Sequence, residues 1–292
     1  MIMFPGCLTA LITPFRDGAI DLKALAALVE EQIAAGVNGL VPCGSTGESA
    51  TMSHEEHLTV VREVIRVARK RVPVIAGTGS NATGEAIRLT RGAEELGADA
   101  ALLISPYYNR PTQDGIVQHY AAIAQATKLP LIAYNIQGRT ASNITAETMA
   151  RLAAIPRVVG VKEASGSMAQ VVEILHRCGP DFTVWSGDDV VTLPIMAAGG
   201  AGVISVTSNV DPAGMVELAA AMRAGDLARA RRANARMMPL FRDLFLEVNP
   251  IPVKTALAIM GRCSDELRLP LTPMTAKNRA VLETTLREHG LV

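Results

Sequence analysis

Val158-Val159-Gly160-Val161-Lys162-Glu163-Ala164-Ser165 sets a β-branched run directly against a lysine. The run reads as a strand buried on both faces, and Lys162 stands where it gives out. An ammonium costs too much to bury for packing alone. Held dry in a cleft, a lysine loses its proton more readily and becomes the nucleophilic amine used for Schiff bases. On this stretch alone the simpler reading is a lysine that snorkels into solvent or pairs with Glu163, and the rest of the chain has to decide.

Working outward, apolar strand-like runs recur at Cys7–Thr13, Gly39–Cys43, Val72–Ala76, Ala100–Ser105, Leu129–Tyr134, Val158–Val161, Phe182–Ser186 and Gly202–Val206. Segments with helical spacing lie between them, among them Asp21–Ala35, Ser53–Arg69, Thr83–Leu96, Thr112–Thr127, Thr145–Ala154 and Met168–Arg177. Alternation of this kind means repeated βαβ units and a parallel sheet. Eight strands favour a closed α/β (β/α)8 TIM barrel over an open doubly wound sheet, and no Gly-x-Gly-x-x-Gly follows the first strand. Ser53 with Glu56 forms a capping box, and Asp21, Thr83 and Thr145 are expected N-caps. From Asp226 the pattern is helical, broken by Pro250, Pro252, Pro270 and Pro273, which divides the chain into a catalytic barrel (1–225) and a C-terminal helical extension (226–292).

Composition removes several function classes. The 28 basic and 28 acidic residues cancel without one-signed stretches, and aromatics are 3%, which argues against nucleic acid or an anionic membrane as partner. Cys7, Cys43, Cys178 and Cys263 are far apart, as expected of core thiols in a reducing compartment. Positions 190–210 carry no charge, but Pro194, Gly199, Gly200, Gly202 and Asn209 interrupt them, so buried core is expected in place of a membrane span. A soluble, cytoplasmic protein is the expectation.

In such barrels the reactive groups sit on the loops at the C-terminal ends of the strands. Those ends carry Gly44-Ser45-Thr46-Gly47-Glu48, Gly77-Thr78-Gly79, Pro106-Tyr107-Tyr108-Asn109, Tyr134-Asn135 with Arg139, Lys162-Glu163, Gly187-Asp188-Asp189 and Ser205–Asn209. Lys162 therefore points into a ring of hydroxyls, phenols and one guanidinium. Tyr134, Ser45, Thr46 and Tyr108 can pass protons, which carbinolamine formation and dehydration both require. Each alone is as readily a core residue with a satisfied hydroxyl. Arg139, in the loop after the fifth strand, can hold a carboxylate, or be an ordinary surface arginine. His54-Glu55-Glu56-His57 lacks the four-residue spacing of a zinc helix, so a polar helix start or a small-ligand site is the better reading. Asp188-Asp189 more readily caps the following helix than binds a cation.

Several long motifs in order carry a resemblance that runs from Phe4 to Val292: Gly44–Thr51, Val74–Gly79, Pro106–Pro111, Tyr134-Asn135, Gly160–Ala164, Ser186–Asp189 and Asn249–Lys254. The chain is similar to the dihydrodipicolinate synthases (4-hydroxy-tetrahydrodipicolinate synthases), within the pyruvate-dependent class I aldolases that also include N-acetylneuraminate lyases. The resemblance implies condensation of pyruvate, as a Schiff base on Lys162, with L-aspartate 4-semialdehyde in diaminopimelate and L-lysine biosynthesis. It implies that Tyr134, Thr46 or Ser45, and Tyr108 relay protons, with Tyr108 reaching into a neighbouring subunit of a dimer-of-dimers homotetramer. It implies that Arg139 holds the aldehyde's carboxylate, that the backbone at Gly187 and Ile204 lines the pyruvate pocket, and that no metal or organic cofactor is needed. Feedback inhibition by L-lysine would fall to Ser49, Ala50, His54, His57, Asn81, Glu85 and Tyr107. Ser45 stands where these synthases have threonine and so resembles the lyases, whereas Arg139 favours a synthase. Another aldolase or lyase of this family, acting on a sugar acid or other 2-keto acid, is the alternative within the same chemistry. A non-catalytic sensor would not need the relay, and a metal-dependent aldolase lacks its ligand set.

Overall fold

The computed structural model describes residues 3–292. The apolar runs become eight strands: β1 (Gly6–Ala10), β2 (Gly39–Val41), β3 (Ile75–Gly77), β4 (Ala100–Ile104), β5 (Leu131–Asn135), β6 (Val158–Glu163), β7 (Thr183–Ser186) and β8 (Gly202–Ser205). They pair in parallel in the order β2-β1-β8-β7-β6-β5-β4-β3. A parallel bridge between Leu40 and Val74 joins the two ends, so the sheet closes as a (β/α)8 barrel. The surrounding helices are α1 (Leu22–Ala34), α2 (His54–Ala68), α3 (Thr83–Leu96), α4 (Gln113–Ala126), α5 (Ala146–Ala153), α6 (Met168–Cys178), α7 (Thr192–Ala197) and α8 (Pro212–Arg223). Three more follow: α9 (Leu227–Asp243), α10 (Ile251–Ile259) and α11 (Ala276–Glu288).

Local chemistry starts most helices where expected. Ser53 and Glu56 exchange both bonds of a capping box, and Asp21 and Thr145 accept from the Ala24 and Thr148 amides. Thr83 differs: it is the first helical residue, Ala82 holds the cap position, and the Thr83 hydroxyl lies 2.9 Å from the His119 ring instead. Positions 190–210 supply α7 and β8, and among the described residues no helix is long and apolar enough to cross a membrane.

Strand alternation sorts side chains between two cores. Leu8, Ala10, Ile132, Tyr134, Trp185 and Ile204 fill the bore, while Leu131, Ala133 and Val161 face the helices. β5 and β6 are not in simple register. Leu131 pairs with Val158 but Ile132 with Gly160, so β6 carries one extra residue near its start. Glycine is required at position 160, because a Cβ there would lie 2.2 Å from the Thr183 carbonyl oxygen and 2.6 Å from the Trp185 ring.

The last three helices share an apolar core with α8 and with Cys7, Val203 and Val206 of the β1 and β8 edge. They also send polar groups to the barrel mouth. Lys254 of α10 is fully buried, with Nζ 2.7 Å from Glu48. Phe15 belongs to a two-strand hairpin, Phe15–Arg16 with Ala19–Ile20, that the periodicity does not signal. Its ring centroid lies 4.3 Å from Lys254 Nζ and 4.4 Å from the Arg268 guanidinium. Removing one member of such a pair strands a buried charge. Lys254→Met is therefore expected to destabilise the fold by about 3 kcal/mol or more, read from urea unfolding. Glu48→Gln/Lys254→Met should recover part of the loss, and a single variant as stable as the parent would refute this role.

Candidate active site

β6 runs on to Glu163, so Lys162 lies inside the strand and not beyond its end, held by a ladder to Tyr134 on β5 and Trp185 on β7. The residue is 4% exposed, and Nζ sits 4.3 Å from the Tyr134 ring centroid. Among the described residues Lys162 makes no ion pair or hydrogen bond, unlike buried Lys254 with its carboxylate partner. Burial pushes the Lys162 amine down from 10.5 to about 8, with Arg139 adding to the fall and Asp189 and Asp188 opposing it. Asp189, itself buried, accepts from the Val206 and Thr207 amides at 3.1 and 2.8 Å. Burial lifts the Tyr134 phenol to about 12, offset in part by Arg139 and the Ser45 hydroxyl. Gly187 follows β7 at the same level, where a Cβ would crowd Lys162 Cγ at 3.0 Å. Ile204 fills the bore from β8.

The loop after β2 brings in the hydroxyls. Gly77 permits this, since a Cβ there would meet the Cys43 carbonyl oxygen at 2.4 Å. Buried Thr46 Oγ1 accepts from Asn249 Nδ2 at 3.0 Å. Arg139, expected in a loop, lies on a short helix, Gln137–Thr140, and donates from Nη2 to the Asn249 carbonyl at 3.0 Å. Ser45, Tyr134, Arg139 and Asn249 line a cavity of about 390 Å³. Tyr108 does not join them: it is 89% exposed at φ 72°, a conformation that costs a bulky residue on the order of 1 kcal/mol.

The same cavity extends to Ser49, Ala50, His54, His57, Glu85 and Tyr107. Glu85 accepts from Ser80 and pairs with His54, and both contacts hold its carboxyl low. Buried His57 directs Nε2 to the Gly77 carbonyl at 2.8 Å, so the two histidine rings serve different partners. Asn81 lies outside the lining and donates to the Tyr107 carbonyl at 3.1 Å.

A family model described as the dihydrodipicolinate synthetase family matches residues 3–289. The chain belongs to this family. The 4-hydroxy-tetrahydrodipicolinate synthase of Nitratidesulfovibrio vulgaris (strain DP4) is 55% identical over the full length of both chains. The chloride-inhibited dihydrodipicolinate synthase of Acinetobacter baumannii, solved with pyruvate, matches with a TM-score of 0.98 and 46% identity over 99% of this chain and 100% of that one. The synthase of Cyanidioschyzon merolae, solved with lysine bound, gives a TM-score of 0.97 and 40% identity over the whole of both.

In this member of the dihydrodipicolinate synthetase family, two features of the site escape a reading of the strand ends. Asn249, 203 residues from Thr46, joins that hydroxyl to Arg139; its motif marks the resemblance but signals no contact. Asn135 and Glu163 pair directly behind Tyr134 and Lys162. The depressed amine also sets a stability signature. Between pH 8 and 10.5 the unfolded chain keeps a proton that the native Lys162 has lost, so this group's penalty is full below about pH 8 and fades as pH rises toward 10.5. Lys162→Met should therefore stabilise the fold at pH 7, by on the order of 3 kcal/mol, with the advantage shrinking at alkaline pH in denaturant titrations. Equal or lower stability of the variant at pH 7 would contradict the buried, charged amine.

Proposed function

We propose that this chain is a lyase that condenses pyruvate with L-aspartate 4-semialdehyde, acting as a 4-hydroxy-tetrahydrodipicolinate synthase in diaminopimelate and L-lysine biosynthesis. The observation that carries the reading is Lys162: buried, unpaired among the described residues, and stacked on Tyr134 with its proton loosened. The neutral amine attacks the ketone carbon of pyruvate, a proton moves from nitrogen to oxygen, and water leaves to give the Schiff base. Loss of a methyl proton makes the enamine, whose carbon attacks the aldehyde; the substrate's amino group then displaces the lysine. Tyr134 with Ser45 and Thr46 relays these protons, and Arg139 holds the aldehyde's carboxylate in the cavity. The backbone at Gly187 and Ile204 borders the pyruvate pocket. The barrel (1–225) carries this chemistry, and the extension (226–292) closes it through Asn249.

The exposure and strained backbone of Tyr108 support its reaching a neighbouring subunit, in a cytoplasmic homotetramer built as a dimer of dimers. A second ligand, L-lysine, is proposed for the arm of the cavity at Ser49, Ala50, His54, His57, Glu85 and Tyr107, with Asn81 buttressing it. Glu85 would take an ammonium of the effector.

Incubation with pyruvate and borohydride should leave a reduced adduct on Lys162, mapped by mass spectrometry and absent in Lys162→Ala. Tyr134→Phe should still trap pyruvate while lowering kcat by roughly 10²-fold or more; no adduct on the parent enzyme would end the aldolase reading. For the effector, Glu85→Ala should raise the L-lysine concentration needed for half inhibition at least about tenfold, the scale of one charged hydrogen bond. Inhibition that persists unchanged would remove L-lysine from this arm.

A further inference from the structure

Behind the reactive pair, on the helix-facing side of the strands, lies a polar cluster that the proposed chemistry does not use. The ladder sets Tyr134 opposite Lys162, and one residue further Asn135 opposite Glu163. Because side chains alternate, Tyr134 and Lys162 enter the bore while Asn135 and Glu163 turn outward. Asn135 Nδ2 donates to Glu163 Oε2 at 3.1 Å and to Asn143 Oδ1 at 2.9 Å, and Asn135 Oδ1 accepts from the Ile144 amide at 2.9 Å. Glu163 Oε1 accepts from the Ser165 amide at 2.8 Å and, more weakly, from Gln170 Nε2 at 3.5 Å. Both residues are at most 1% exposed.

A second observation explains the need. β5 and β6 change register between Leu131 and Ile132, where β6 carries an extra residue. A sheet face flips with a one-residue slip, so relaxation of this offset would turn Lys162 out of the bore. Backbone pairing is nearly indifferent to such a slip, whereas a carboxylate–amide contact above the bulge is not.

We propose that Asn135 and Glu163 are positioning residues that lock β5 and β6 in the register which places Lys162 against Tyr134. The proposal rests on Lys162 being the Schiff-base residue, and it assigns Glu163 a geometric task, not an electrostatic one. Beyond burial, Asp189, Arg139 and Asp188 shift the Lys162 proton, while burial lifts the Glu163 carboxyl above its ordinary range, toward the neutral form.

Competitive labelling with acetic anhydride, without pyruvate, reads the titration of Lys162 peptide by peptide. In Asn135→Ala and Glu163→Ala the midpoint should rise from about 8 toward 10.5 as the amine gains water. Turnover should fall about 10²-fold, the usual effect of misplacing a reacting group by an ångström. The double variant should be no slower than the slower single, because the two act as one unit. Glu163→Gln keeps one acceptor oxygen for Asn135, loses the one facing Ser165 and has no charge, so its midpoint and turnover should lie closer to the parent than those of Glu163→Ala. A midpoint that falls in both Glu163 variants would show a charge effect and overturn the clamp. Parent-like midpoint and turnover in folded Asn135→Ala would do the same. If Glu163→Ala fails to fold, Asn135→Ala and Glu163→Gln decide. Absence of a pyruvate adduct on the parent enzyme would instead sink the proposed function, while the labelling midpoints still test the clamp.

Discussion

Keeping a primary amine dry without giving it a carboxylate partner is the demand that the rest of this structure serves. Lys162 and Lys254 are both buried, yet they meet burial differently. Lys254 has Glu48 at 2.7 Å and an aromatic ring beneath it; burial lowers its amine too, but the Glu48 carboxylate beside it opposes that fall. Among the described residues Lys162 has the face of Tyr134 and acidic groups outside ion-pair reach, so burial is answered by a loosened proton. A fold accepts such a destabilising group only if its surroundings are rigid. A closed barrel provides that, because each strand end is held on both sides.

The mouth of the barrel is assembled from parts far apart in the chain. The loop after β2 delivers Ser45 to the Tyr134 phenol and Thr46 to Asn249. The extension returns across the molecule to hold that loop through Asn249 on Thr46, through Lys254 and the Arg268 amide on Glu48, and through the Arg268 guanidinium on the Thr51 carbonyl. Asn249 also orients Arg139 through its carbonyl. One cavity then runs from Tyr134 and Arg139 to Glu85 and His54. Occupancy of one arm and geometry of the other therefore share the loop that carries Ser45 through Thr51.

How far the chain could be read in advance differs from element to element. The strand around Leu129–Tyr134 and the one at Val158–Val161 stood out because buried parallel strands need unbroken apolar runs, and both formed, ending one and two residues further on. Ser53 with Glu56 was legible because a capping box is closed by groups three residues apart. Thr83 was misread, since threonine serves equally as a cap or as the first helical residue, and the neighbouring His119 decided it. The hairpin at Phe15–Ile20 is too short to carry a period.

The sequence by itself determined eight alternating units and the chemical groups that their C-terminal ends carry, Lys162 among them, but did not separate exposed Tyr108 from the rest. Those follow from local periodicity and the barrel's connectivity. Only the tertiary structure decided that Thr46 and Arg139 meet at Asn249, that Glu48 and Lys254 neutralise each other, and that β6 carries an extra residue below the lysine. These depend on side-chain distances between segments up to two hundred residues apart, where no period or spacing in the chain records which groups will touch.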